Sequence, residues 1–140
     1  MIEFRLQRLW VEPGRRETIA ELEAGVQADF AIVVNDRVLF RDEYFNVLEF
    51  LLAIVQWLRT GVEKGEDFEF ASMDCEDAGL VFVQRRPGGW RIGSIHEETA
   101  DENSHPLDDI RDSVRCLIDR VLDGVPNKHR MRIQKALKDI

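Results

Sequence analysis

Ile2, Phe4 and Leu6 alternate with Glu3, Arg5 and Gln7, the period of a strand with one face buried. Leu9-Trp10-Val11 breaks that alternation after Arg8, which signals a bulge or burial on both faces. Glu12-Pro13-Gly14 is a turn. Residues 17–25 stay open between two readings. Thr18 and Glu21 fit a capping box, Ile19, Leu22 and Val26 fit a helical face, and Gly25 supplies a stop. A strand running on into the next segment fits as well. From Ala28 to Val34, Phe30, Ile32 and Val34 share one face and Ala31 and Val33 the other, as in an interior strand. Asn35 and Asp36 tolerate positive φ, so Arg37–Phe40 is expected to return as the second arm of a tight hairpin.

The helical period follows. Asn46 is placed as an N-cap, Glu49 takes the capping-box position, and Phe45 and Phe50 are spaced as a hydrophobic staple. From Val47 to Leu58 apolar residues cover most of the circumference, so this helix must be buried on several sides or against another subunit. Gly61 marks its end. Phe68 and Phe70, Leu80–Val83 and Trp90–Ile95 then read as three strands, joined by the turns Glu76-Asp77-Ala78-Gly79 and Arg86-Pro87-Gly88-Gly89. Connections so short make antiparallel neighbours. After a polar stretch from His96 to His105, Pro106 opens a helix striped by Leu107, Ile110, Val114, Leu117 and Val121. Asp108–Arg111 and Asp112–Arg115 stand at pairing distance on it. Gly124 and Pro126 end it, and a last helix capped by Asn127 shows a narrow apolar face of Ile133, Ala136, Leu137 and Ile140.

The pattern predicts an α+β fold: a mostly antiparallel sheet of five or six strands, with helices at 46–60 and 106–123 packed on one face and a short basic C-terminal helix. Trp57, Phe50, Phe82 and Trp90 are expected in the core. The division is one acidic domain over 1–125 and a basic extension over 126–140 that docks on it. At 140 residues, one domain with its own core is the natural size.

Charge sharpens this picture. The formal charge is −8, but residues 126–140 hold five Lys/Arg against one Asp, which leaves −12 on the rest. An acidic body disfavours nucleic acid and favours a basic protein partner. The basic segment (Lys128, Arg130, Arg132, Lys135, Lys138) either touches phosphates or an acidic partner, or folds back on its own acidic body; the second reading is the simpler. No stretch is apolar enough for a membrane span, and the opening residues lack the layout of a signal peptide, so a cytoplasmic protein is expected. Cys75 and Cys116 then read as free buried thiols, Cys116 packed beside Leu117.

No catalytic signature stands out, and neither a cofactor nor a metal is expected. His96, Glu97, Glu98, Asp101 and His105 gather ligand types within ten residues, but without zinc-site spacing. Asp74, Glu76 and Asp77 flank a turn where nothing favours buried acid–base work. No G-x-S-x-G is present.

The segments Ala28–Val34, Arg37–Phe40, Tyr44–Glu49 and Trp57-Leu58, with Asp67-Phe68 and Gly89–Ser94, resemble a family of small uncharacterised bacterial proteins. The shared motifs are structural and carry no catalytic residue to transfer. In size, acidity and layout the chain also resembles immunity proteins that neutralise the toxins of rival bacteria. That resemblance implies a non-enzymatic binding protein. Asp74, Glu76, Asp77, Glu97, Glu98, Asp101 and Glu102 are the expected partner-binding carboxylates, meeting basic groups of a toxin's cleft. A self-associating module, such as a homodimer, is the second reading, and a small enzyme with an unrecognised site the third.

Overall fold

The turn Asn35–Asp36 sets the first sheet. Both residues take positive φ, 50° and 65°, the geometry that matches a two-residue hairpin to the twist of its strands. The computed structural model describes residues 1–71, 79–96 and 103–138. Around this turn β2 (Val26–Val34) pairs antiparallel with β3 (Arg37–Phe45), and β1 (Ile2–Val11) lies on the other side of β2. β2 is therefore the interior strand that its two-faced pattern predicts. The register between β1 and β2 shifts between Leu6 and Arg8, just before the point at which the alternation breaks in sequence. Between β1 and β2 the open question of residues 17–25 resolves as a helix. Thr18 and Glu21 form the reciprocal capping box at the start of α1 (Ile19–Gly25).

Among the described residues the strands number six, but they form two sheets of three rather than one. β4 (Phe68–Phe70), β5 (Val81–Arg86) and β6 (Gly89–Gly93) pair antiparallel in that order. What separates the sheets is α2 (Val47–Gln56), which leaves β3 directly and carries the chain across. Phe45 and Phe50 make the staple, with ring centroids 5.5 Å apart. Phe50 also meets Phe4 and Phe30 of the first sheet and Phe68 and Phe70 of the second, at 5.4 to 6.1 Å. Buried residues of both sheets and of α2 thus belong to one core cluster. Most of the apolar circumference of α2 is buried within the chain, with Leu52 and Ala53 only partly so, and on the second face of β2 Ala31 and Val33 are buried.

α2 does not end at Gly61 through a left-handed cap. It passes into a π-helical turn, Trp57–Gly61. A Cβ at Gly61 would lie 2.5 Å from Cδ1 of Trp57, so glycine is there to admit the indole. Trp57 Nε1 donates to the Glu66 carbonyl at 2.8 Å, and its ring stands edge-on to Trp90 at 5.1 Å. Of the four aromatics expected in the core, Trp57, Phe50 and Trp90 join the cluster. Phe82 is also buried, yet it alternates with the core residues Val81 and Val83 and so takes the other face of β5. There the Arg91 guanidinium lies 5.1 Å over its ring.

α3 (Leu107–Gly124) packs along β1, and Ser113 Oγ donates to the Ile2 carbonyl at 2.7 Å. Its Asp108–Arg111 and Asp112–Arg115 pairs form at 3.3 and 3.5 Å. Helices therefore do not share one face of one sheet: α2 spans both sheets and α3 covers β1. α4 (Asn127–Ala136) follows, with Pro126 rather than Asn127 at its cap position. No helix among the described residues is long and apolar enough to cross a membrane.

Truncating Phe50 should uncouple both sheets at once. Phe50→Ala is expected to lower stability by about 3–5 kcal/mol, and Phe82→Ala by clearly less, in urea titrations followed by fluorescence. Two separate transitions in the parent protein would refute a single core.

Candidate functional site

All seven carboxylates expected to bind a partner, Asp74, Glu76, Asp77, Glu97, Glu98, Asp101 and Glu102, lie outside the described residues, as does Cys75. The structure does fix where their segments begin and end. Residues 72–78 follow β4, and residues 97–102 follow the end of β6. Ile95 N–H donates to the Gly79 carbonyl at 3.1 Å, and Leu80 N–H to that of Phe70 at 3.0 Å. Gly79, which follows the first acidic segment, and Ile95, two residues before the second, are thus joined by a direct hydrogen bond. Gly79 takes φ +81°, and a Cβ on it would lie 3.0 Å from Ile95 Cγ2, so glycine permits this close approach. A shallow cavity of about 570 Å³ opens beside these ends, between Val38–Asp42 of β3 and Leu80 and His96.

His96 and His105 do not converge. His105 is buried and bridged to Trp90 near the start of β6, while His96 is exposed beyond the strand's other end. Among the described residues, no group of three or more His, Cys, Asp or Glu side chains could hold a metal ion. Cys116 corrects an expectation. It is exposed, because the buried stripe of α3 runs through Ile110, Val114, Leu117 and Val121 and position 116 turns about 100° away from Leu117. It lines a cavity of about 590 Å³ with Ser113 and Arg120, against the first residues of β1.

A third cavity, also of about 590 Å³, gathers charged side chains between the β1–α1 connection and the start of α4. Arg15 and Arg16 come from the connection, Lys128, His129 and Arg132 from α4, and Glu12 and Glu17 line the same space. The turn at Pro13-Gly14 puts the two arginines here, and the capping box of α1 holds the segment that follows. Arg15 pairs with Glu17 at 3.0 Å, Arg16 reaches Glu12 only at 4.0 Å, and Arg132 donates to the Arg16 carbonyl at 3.5 Å. Lys128 forms no ion pair among the described residues.

α4 is held in place by other means than its charges. Ile133 and Leu137 are buried, and Arg59 Nη2 donates to the carbonyls of Ala136 and Lys138. None of Lys128, Arg130, Arg132, Lys135 and Lys138 pairs with a carboxylate of the body among the described residues. His129 is 6% exposed, and its Nδ1 has no hydrogen-bond partner. Burial holds its pKa below the ordinary 6.5, and the charges of Lys128 and Arg132 push the same way. The sequence pattern singles out the basic segment but not Arg15, Arg16 or His129. The adjacent Arg15-Arg16 after a Pro-Gly turn is the signal that was there to find.

A family model described as Domain of unknown function (DUF7878) matches residues 2–125. No curated protein and no solved structure matches the chain.

Because His129 resists protonation when folded, its contribution to stability is complete above the unfolded value of 6.5 and lost as pH falls through the lower folded value. Glu12, Glu17 and Arg16 face the same cavity from the opposite wall. Urea midpoints should therefore drop between neutral pH and ~pH 5, and His129→Asn should remove part of that slope. An unchanged slope in His129→Asn would show that other groups carry it.

Proposed function

The chain belongs to the family described as Domain of unknown function (DUF7878), and we propose that it is a non-enzymatic binding protein of immunity type. In this reading it acts in the cytoplasm and blocks a basic toxin or nuclease through its acidic segments. One observation carries the reading: the hydrogen bond between Ile95 and Gly79 gathers the ends of two segments that together hold seven carboxylates and no Lys or Arg. The second support is the charge balance, with −12 borne by residues 1–125.

The physics is that of electrostatic steering. A concentrated negative patch raises the association rate of a basic partner and disfavours acidic ones. Carboxylates aimed at a nuclease cleft would take the places of substrate phosphates, and charge-assisted hydrogen bonds would supply the affinity.

The reading is tested with the purified chain as bait for basic proteins, followed by titration of the captured partner at rising salt. Association should slow steeply with salt, and neutralising Asp74, Glu76 and Asp77 to amides should slow it by about tenfold. A partner that binds equally well after both acidic segments are neutralised would end this reading.

A further inference from the structure

We infer that the cavity between the β1–α1 connection and α4 is a binding site for a small phosphate-bearing anion with two or more linked phosphates. The inference is independent of the acidic segments and of the role proposed for them.

Four observations converge on it. The cavity, about 590 Å³, lies in the size range of small-molecule sites. Its walls bring four cations together, Arg15 and Arg16 from one side and Lys128 and Arg132 from the other, against Glu12 and Glu17. The site is thus net positive by two on a chain whose formal charge is −8. Third, α4 is built against its own electrostatics. Its first turn contains Lys128 and no acidic residue, although the positive end of a helix dipole favours anions. Lys128 and Arg132 also stand at i,i+4, where like charges repel. Both penalties are relieved by one anion at this helix end. Fourth, His129 lines the cavity with its side chain more than nine-tenths buried and its Nδ1 without a hydrogen-bond partner. Such a group normally finds one.

The glutamates do not satisfy the cations. Glu17 occupies Arg15 at 3.0 Å, but Glu12 is 4.0 Å from Arg16, and no carboxylate pairs with Lys128 or Arg132 among the described residues. What Arg132 does reach across the cavity is the Arg16 carbonyl, at 3.5 Å. Paired phosphates match this arrangement better than a single one, since cations approach from two walls and guanidinium groups grip phosphate oxygens in bidentate fashion. No Phe, Tyr or Trp lines the cavity, and the one aromatic ring there, His129, is buried, so single-stranded nucleic acid is a poor occupant.

The test is a titration of the full chain with pyrophosphate, with ADP and with a short duplex DNA at matched ionic strength, followed by calorimetry and by the histidine ring resonances in NMR. Pyrophosphate should bind saturably and raise the pKa of His129. ADP should compete with it if the diphosphate is what is recognised. Lys128→Gln and Arg132→Gln should each weaken binding by roughly tenfold, while Lys135→Gln, on the same helix but off the cavity, should change it by less than about twofold. Lys128 is exposed, so its variant keeps the fold, and an unchanged melting curve verifies that. Four results overturn the inference: no saturable binding at millimolar pyrophosphate, a His129 resonance unmoved at saturation, equal losses in Lys135→Gln, or DNA binding that pyrophosphate cannot displace.

Discussion

Phe50 is the ring on which both sheets close. A two-stranded hairpin is marginal on its own, and a small sheet gains stability from a third strand and from a helix packed on its apolar face. Here each sheet is covered through the same helix. Phe50 touches Phe4 and Phe30 on one side and Phe68 and Phe70 on the other, and edge-to-face aromatic pairs add about 0.5–1.5 kcal/mol each beyond burial. Everything downstream is positioned by this arrangement. Trp57 extends the helix through a π turn onto Trp90. Trp90 in turn receives His105, which fixes one boundary of the segment 97–102.

The local signals were legible because each is satisfied within a few residues. The positive-φ pair at Asn35–Asp36, the Thr18–Glu21 box and the Phe45–Phe50 staple need no knowledge of the rest of the chain. The division into two sheets was not legible. A strand shows the same alternation whichever neighbour pairs with it, and six strand patterns do not say where pairing stops. Phe82 is buried as expected, but on the face of β5 away from the main cluster: Val81, Phe82 and Val83 are all apolar, so the pattern does not say which face meets that cluster. Cys116 was misplaced because a position next to Leu117 on a helix lies a quarter turn or more away from it. Of the candidate site, the basic segment was visible in composition. Its union with Arg15 and Arg16 was not, because the two stretches are more than a hundred residues apart in sequence.

The basic segment shows how magnitude decides between two attractions. Long-range charge suggested that a cationic end would fold onto an acidic body. Exposed ion pairs contribute only about 0–1 kcal/mol, whereas burying one Ile or Leu side chain contributes about 1.5–3 kcal/mol. α4 follows the apolar attraction, the stronger of the two. Ile133 and Leu137 are buried, while Lys128, Arg132, Lys135 and Lys138 are left exposed.

The two attractions respond differently to solvent. Apolar docking is not weakened by salt, so α4 keeps its orientation as ionic strength rises. The cations it brings to the cavity, Lys128 and Arg132, are screened over the same range, with a Debye length of about 8 Å at physiological salt. The geometry of the cavity and the strength of its charge are therefore set by different interactions. A change in salt or in the charge of Lys128 and Arg132 acts on what the cavity attracts, while a change at Ile133 or Leu137 acts on whether the cavity exists.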